Sequence, residues 1–329
     1  MFLRKTTIRR PLTHALLLLT TLGLSIGEAA APKSKTILWR DPGDVSKLDF
    51  SSALDFAVNP PAGPFQFDHE DLSGTSTKIY VRDAKGTMWN VKFGAEVKPE
   101  SFCWRIVRAC GYLVEPSFFV AEGKIEKLGK LARPSTKLKE DGRFLDARFQ
   151  WRTDDYSFVK NGAWLWDRNP FAGTPELNGL KILLMLMSNF DNKDARVGAR
   201  GGPNTGVFLL KDGTQWFTFT DWGSAMGRWG DHGGQTAWRC DDMKSQSREF
   251  VRGVEAKDVL FGFEGHAPHF NDNIRISDVA WLMRTLGRIT NDQLRAGLRV
   301  SGANAQEQEC FTQALRTRIE ALRRVAGAL

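Results

Sequence analysis

The chain has 329 residues, and its 46 Lys and Arg against 38 Asp and Glu give a formal net charge of +8 and a pI near 9.4. That length has room for two lobes or domains, and a hydrophobic fraction of 42% with 26% charged residues excludes a disordered or low-complexity chain. No basic run interleaved with aromatics occurs, which speaks against nucleic acid as a partner, and no segment beyond the N-terminus is apolar enough to span a bilayer.

Arg4, Lys5, Arg9 and Arg10 make a basic start, Ala15 to Ile26 an apolar core, and Glu28-Ala29-Ala30-Ala31 a small-residue cleavage region. Residues 1–31 are therefore expected to be a signal peptide, with an uncleaved anchor as the alternative. The mature chain would lose four positive charges and one negative, leave at +5, and be periplasmic or secreted. In such a compartment Cys103, Cys110, Cys240 and Cys310 leave room for up to two disulfides. Cys103 and Cys110 lie two helical turns apart, about 10 Å of rise, too far for a direct bond, so buried free thiols are expected there.

Residues 32–73, rich in Pro, Gly and Asp, read as an irregular lead-in. Lys78 to Arg82 and Met88 to Phe93 read as strands around the turn Asp83-Ala84-Lys85-Gly86. A helix is expected from Pro99 to the stop at Gly111, then a strand over Ser117 to Ala121. Strand, strand, helix, strand is the skeleton of a small nucleotide-binding lobe, assigned to 32–123. The Lys-rich stretch in 124–163 reads as a connector or hairpin. From 164 to 329 the chain reads as a mainly helical lobe. Pro175 to Met187 is a helix buried nearly all round, and Val207 to Leu210 and Trp216 to Thr220 form a hairpin about Asp212-Gly213. Three helices follow: one capped by Ser277, one opened by the capping box of Thr290 and Gln293, and one over Gln306 to Val325.

Three segments carry chemistry in a fixed order: Val91-Lys92-Phe93-Gly94, Asn189-Phe190-Asp191-Asn192-Lys193-Asp194 and Thr220-Asp221-Trp222-Gly223. A strand lysine, a loop Asp with Lys two residues on, and an Asp before an aromatic and a Gly follow the order of a phosphotransfer site. Lys92 can hold phosphates if a carboxylate fixes it. Glu100, in the first turn of the next helix, is the favoured partner and Glu96 the competitor. Asp191 can accept or orient a hydroxyl proton, Lys193 can offset charge on the transferred group, and Asp221 can bind magnesium. Each has an ordinary alternative: an exposed strand lysine, a solvated helix end, a turn aspartate.

Asp191-x-Lys193 and Asp221-Trp222-Gly223 resemble the catalytic-loop and metal-binding motifs of the protein-kinase-like superfamily. The wider chain resembles a family of exported bacterial proteins with that atypical-kinase fold, through Gly74-Thr75-Ser76-Thr77-Lys78, Trp89-Asn90-Val91-Lys92-Phe93-Gly94, Cys110-Gly111-Tyr112, Asn169-Pro170-Phe171-Ala172-Gly173-Thr174 and Asn178-Gly179-Leu180-Lys181. The resemblance runs from about residue 38 to the end and implies a fold more firmly than an activity. The implied fold is α+β, a two-lobe protein-kinase-like architecture with a small β-rich N-lobe and a mainly helical C-lobe. The implied activity moves the γ-phosphate of ATP, with Mg2+ or Mn2+, to a hydroxyl acceptor: protein, sugar or small molecule.

Two positions depart from the pattern. Five residues after Asp191, where a metal-binding Asn is expected, stands Arg196. Asn204 is the natural substitute, with 196–203 as an insertion, and Asn192 a weaker one. No G-x-G-x-x-G loop precedes Lys92; only Gly74 and small hydroxyl residues are available. These departures keep a second reading open, a pseudokinase-like envelope binding protein without turnover, and a third, a structural protein with accidental matches. His232 beside Asp231, His266 and His269 read as structural or surface residues, and Trp164, Trp166 and Trp281 as core anchors.

Overall fold

Alternation of apolar and polar residues builds the first half of the molecule. The computed structural model describes residues 35–74, 76–196, 202–230 and 234–327. The expected signal peptide, Thr75, the glycines at 198 and 201, and the Asp231-His232 pair lie outside the described residues. In chain order come β1 (Thr36–Ile37), a 3-10 turn (Val45–Lys47), β2 (Phe65–Asp71), β3 (Lys78–Arg82), β4 (Met88–Phe93), α1 (Val97–Ala109), β5 (Ser117–Glu126), β6 (Arg143–Trp151) and β7 (Tyr156–Phe158). There follow α2 (Pro175–Leu186), β8 (Thr205–Leu210), β9 (Gln215–Phe219), α3 (Cys240–Ser245), β10 (Val251–Glu255), β11 (Asp258–Phe261), α4 (Ile276–Leu286), α5 (Asn291–Val300) and α6 (Ala305–Ala326). The fold is α+β.

Five strands close a barrel in the order β2-β3-β4-β6-β5. Cross-strand register explains its two faces. Ile79, Val91, Phe149 and Phe118 pair across β3, β4, β6 and β5 and turn inward to a core with Phe65, Trp89 and Phe144. The next row, Lys78, Lys92 and Arg148, pairs on the opposite face, because successive side chains in a strand point to opposite sides. One slip of register would put three cations into the barrel interior, so burial of the aromatic set fixes the outward placement of the basic row.

The second half centres on α2. Thr174 caps it through the Leu177 N–H, Pro175 takes the first turn, and every residue from Leu177 to Leu186 is buried. Helices α4 and α6 pack on it. Fully burying each such aliphatic side chain stabilises the fold by roughly 1.5–3 kcal/mol. A second sheet, β1-β9-β8-β7, carries β1 parallel to β9, and Cys240 and Cys310 form a disulfide between the start of α3 and α6. Cys103 and Cys110 are free and buried, and burial pushes the Cys110 thiol up to about 12.

Several expectations need correction. The irregular lead-in contains β2, the first barrel strand. The stretch after 123, read as a connector or hairpin, takes the second form: the end of β5 turns back antiparallel into β6, and the barrel continues to Trp151. Polar residues between the aromatics, Gln66, Asp68 and Glu70 in β2 and Arg143, Asp146 and Arg148 in β6, hid the alternation of these strands. Helix α1 begins at Val97, two residues before Pro99, which sits where the backbone N–H would have no helical partner. Asp278, through the N-cap backbone of Arg275, opens α4 in place of Ser277. The β10–β11 hairpin interrupts a part of the chain read as helical.

Candidate active site

Lys92, Glu100, Asp191, Lys193, Asn204 and Asp221 all line one cleft of about 690 Å³. Its walls are the basic face of the barrel, the loop after α2, and the β8–β9 hairpin with the residues that follow it.

Strand β4 and helix α1 build the first wall. Gly94, at φ +125°, turns the chain between them. Glu96 and Glu100 then lie one helical turn apart on the same face, and both reach Lys92. The Lys92 Nζ to Glu100 Oε1 distance is 2.5 Å, and Glu96 makes a second ion pair with the same ammonium. The two candidate partners of Lys92 therefore act together. Arg148, from β6, places Nε 2.7 Å from the other oxygen of Glu100 and donates to Gln150 at 2.9 Å. Lys92, Glu100 and Arg148 are all buried. Burial works against the charge of Lys92, but Glu100, Asp221 and Glu96 outweigh it and raise Lys92 above the ordinary lysine range. Glu96 moves up as well: burial raises it, Lys92 opposes, and Asp221 and Glu100 add to the rise.

The loop after α2 builds the floor. Ser188 takes φ +56° and turns the chain out of the helix. Phe190 N–H donates to Ser224 O at 3.3 Å and Asn189 Nδ2 to Asp221 O at 2.9 Å, so the Asp191 and Asp221 loops are stitched to each other. Asp191 Oδ1 receives Lys193 Nζ at 3.1 Å and His266 Nδ1 at 2.9 Å. His266, expected to be structural or surface, thus stands on the key carboxylate. His269 is exposed, with Nδ1 3.0 Å from Asp272.

Asn204, at the entry to β8, donates Nδ2 to the Asp191 carbonyl at 2.6 Å, and its backbone binds Lys193 O and Thr220 N–H. Asn192 turns away: its Oδ1 accepts the Ala267 N–H at 2.8 Å, and it does not line the cleft. Arg196 clamps the buried Asp194 at 2.6 Å and Asp167 at 2.8 Å, where it holds the loop.

Asp221 follows β9. Burial opposes its ionisation, but Lys92, the Gly223 N–H (2.9 Å), Arg148 and Lys193 hold its carboxyl below the usual range. The glycine at 223 is required by close approach: a Cβ there would lie 2.6 Å from Glu96 Cβ and 2.9 Å from Glu100 Oε1. The Asp-Trp-Gly turn and the Lys92 carboxylates are in direct contact.

Above Lys92, the loop between β2 and β3 contributes Ser73, Gly74 and Ser76 to the cleft. Arg133 donates to Gly74 O at 2.6 Å, and Lys78 Nζ binds Ser73 Oγ at 2.9 Å and Asp71 at 3.3 Å.

Among the described residues no group of three or more His, Cys, Asp and Glu converges to hold a metal. The cleft offers two oxygen donors. With its Nδ2 committed to Asp191 O, Asn204 keeps its amide oxygen for a ligand, and Asp221 keeps the carboxylate oxygen that Gly223 does not use. Magnesium takes few protein oxygens and completes its shell with water and substrate phosphates, so this donor set fits Mg2+ or Mn2+ only together with a phosphorylated ligand.

Sequence reasoning passed over Arg148 and Lys78 as cleft residues and read His266 as structural or surface. An arginine between Ala147 and Phe149 in an alternating run was the available signal for the first. Lys78 stood in a quoted stretch without a role, and nothing local to His266 connects it with residue 191.

No known family profile matches this chain, and no curated protein matches it in sequence. Among solved structures, a crystal structure of the Golgi casein kinase is 11% identical, over 82% of this chain and 75% of that one, at a TM-score of 0.35. The Golgi casein kinase with Mn and ADP bound is 10% identical, over 82% of this chain and 74% of that one, at a TM-score of 0.37. At such scores and identities the likeness carries no argument for fold, metal or nucleotide.

Proposed function

We propose that the protein is an exported, two-lobe, protein-kinase-like phosphotransferase that moves the γ-phosphate of ATP to a hydroxyl acceptor. The observation that carries this reading is the meeting of Lys92, Glu100, Asp191, Lys193, Asn204 and Asp221 around one cleft from four separate parts of the chain. In this reading Lys92, fixed by Glu100 and Glu96, binds the phosphates as a point charge. A divalent cation held by Asp221 and Asn204 supplies charge neutralisation on the phosphate oxygens. Asp191 accepts the proton of the acceptor hydroxyl as its oxygen bonds to the γ-phosphorus and the bond to the ADP oxygen breaks. Lys193 offsets the negative charge on the transferred group. Export rests on the N-terminal pattern and is supported by the Cys240–Cys310 disulfide, since such bonds persist in oxidising compartments.

The test is ATP labelled at the γ-position, with Mg2+ or Mn2+. Label should leave ATP for an acceptor, for the chain itself or for water, and Asp191→Ala should stop this while ATP still binds. Equal release by wild type and variant contradicts the reading. A second reading, a nucleotide- or ligand-binding envelope protein without turnover, draws on the Ser73–Gly74 loop: tethered by Arg133, it lacks the mobile glycines that close over phosphates. Metal-dependent ATP binding with no release of label selects it.

A further inference from the structure

We propose that His266 is a positioning residue for Asp191, holding one carboxylate oxygen so that the other faces the acceptor hydroxyl; this rests on the phosphotransfer reading above. The loop between β11 and α4 is fastened onto the Asp191 loop at three successive residues. The His266 N–H donates to Phe190 O at 3.0 Å, the His266 ring meets Asp191 Oδ1 at 2.9 Å, and the Ala267 N–H donates to Asn192 Oδ1 at 2.8 Å. The fit is close enough to dictate a glycine: a Cβ at Gly265 would lie 2.7 Å from Asn192 Oδ1 and 2.8 Å from its Nδ2. Buried aromatics anchor the loop at both ends. Phe263 accepts Asn271 Nδ2 on its carbonyl at 2.5 Å, and Phe270 packs edge-on to Trp166 at 4.8 Å. The imidazole also meets the Phe190 ring, centroids 5.9 Å apart.

An ionised carboxylate only accepts, so Nδ1 carries the proton in this contact. Lys193 Nζ reaches the same oxygen at 3.1 Å. Two donors on Oδ1 fix the plane of the carboxylate and direct Oδ2 to the acceptor. Lys193 is flexible and is also required by the transferred phosphoryl group, so once a phosphate draws it away the imidazole is the donor that still holds Asp191. A misplacement of about 1 Å at such a base can cost on the order of 100-fold in rate.

The experiment compares wild type, His266→Phe and His266→Asn for turnover of MnATP to ADP, with water as acceptor, alongside thermal melting. His266→Phe keeps a ring against Phe190 and removes the donor; His266→Asn restores a side-chain N–H of similar reach. Expected are a kcat lowered about 100-fold in His266→Phe with KM for MnATP within about twofold of wild type, and recovery of most of that loss in His266→Asn. Wild-type turnover by His266→Phe overturns the inference and leaves the phosphotransfer reading standing. A loss that tracks melting temperature in both variants, without recovery by Asn, also overturns it in favour of a purely structural role. A wild-type chain that binds MnATP and never converts it overturns the phosphotransfer reading, and this inference with it.

Discussion

Buried cations in this molecule are held in two opposite ways, Arg318 in one and Lys92 with Arg148 in the other. Arg318 of α6 is fully buried with neutral oxygens for company: Leu186 O at 2.7 Å, Ser188 Oγ at 2.8 Å, Met243 O at 2.9 Å and Ser247 Oγ at 3.1 Å, with the guanidinium over the Trp229 ring. Burial pulls it down to about 9, so it stays charged at neutral pH. It sits at the C-terminal ends of α2 and α3, where helix dipoles favour a cation. Lys92 and Arg148 are instead opposed by Glu96, Glu100 and Asp221, and they line an open cleft. A cation locked by carbonyls and hydroxyls has no interaction to exchange. Cations balanced by carboxylates can trade partners when an anionic ligand arrives. The partners each cation meets in the fold tell the two kinds apart; composition does not.

The largest expected effect falls on the locked side. Arg318→Met removes the buried donor shared by Leu186 O, Met243 O, Ser188 Oγ and Ser247 Oγ and should destabilise by about 3–5 kcal/mol. Denaturant titration reads this, and the folded fraction should still bind nucleotide. Next, the Cys240→Ala, Cys310→Ala double variant opens a link across 70 residues and should lose about 2–4 kcal/mol, again without changing the affinity of the folded protein. On the exchangeable side, Lys92→Met should weaken ATP binding about 30-fold, near 2 kcal/mol, while melting moves much less than in Arg318→Met. Should Arg318→Met abolish binding in a folded chain, or Lys92→Met unfold it, the contrast between the two groups fails.

The smallest effect is a pH dependence. Glu96 titrates above its unfolded value of 4.5, so the fold disfavours its ionised form. That cost is absent below 4.5 and grows as pH rises through the raised folded value. Glu96→Gln should therefore melt higher than wild type at pH 7 and alongside it near pH 4. Asp221 has the opposite sign: its lowered value adds stability above the unfolded 3.8 that is lost as pH falls through the folded value. Asp221→Asn should accordingly show no advantage at pH 7.

The barrel strands with clean alternation, Lys78–Arg82 and Met88–Phe93, were legible in the sequence, as were the apolar α2 and the Thr290 capping box, because each is decided by neighbours within a few residues. β2 and β6 were not, since Gln, Asp, Glu and Arg interrupt their apolar pattern and their inward aromatics find each other only on closure of the barrel. In the site, the motif residues were legible from spacing. His266 was not, for its contact with Asp191 spans 75 residues. Asn204 was already preferred to Asn192 from its place before a strand; the structure lines the cleft with Asn204 and commits the Asn192 amide oxygen to the Ala267 N–H.

The most direct test of the central claim, that Lys92, Asn204 and Asp221 form one phosphate and metal site, is calorimetric titration of ATP with and without Mn2+ into wild type and Asp221→Ala. Saturable binding by wild type that requires the metal and is lost in the variant is the predicted result. No heat from wild type at millimolar ATP, or equal binding by both proteins irrespective of Mn2+, would contradict it.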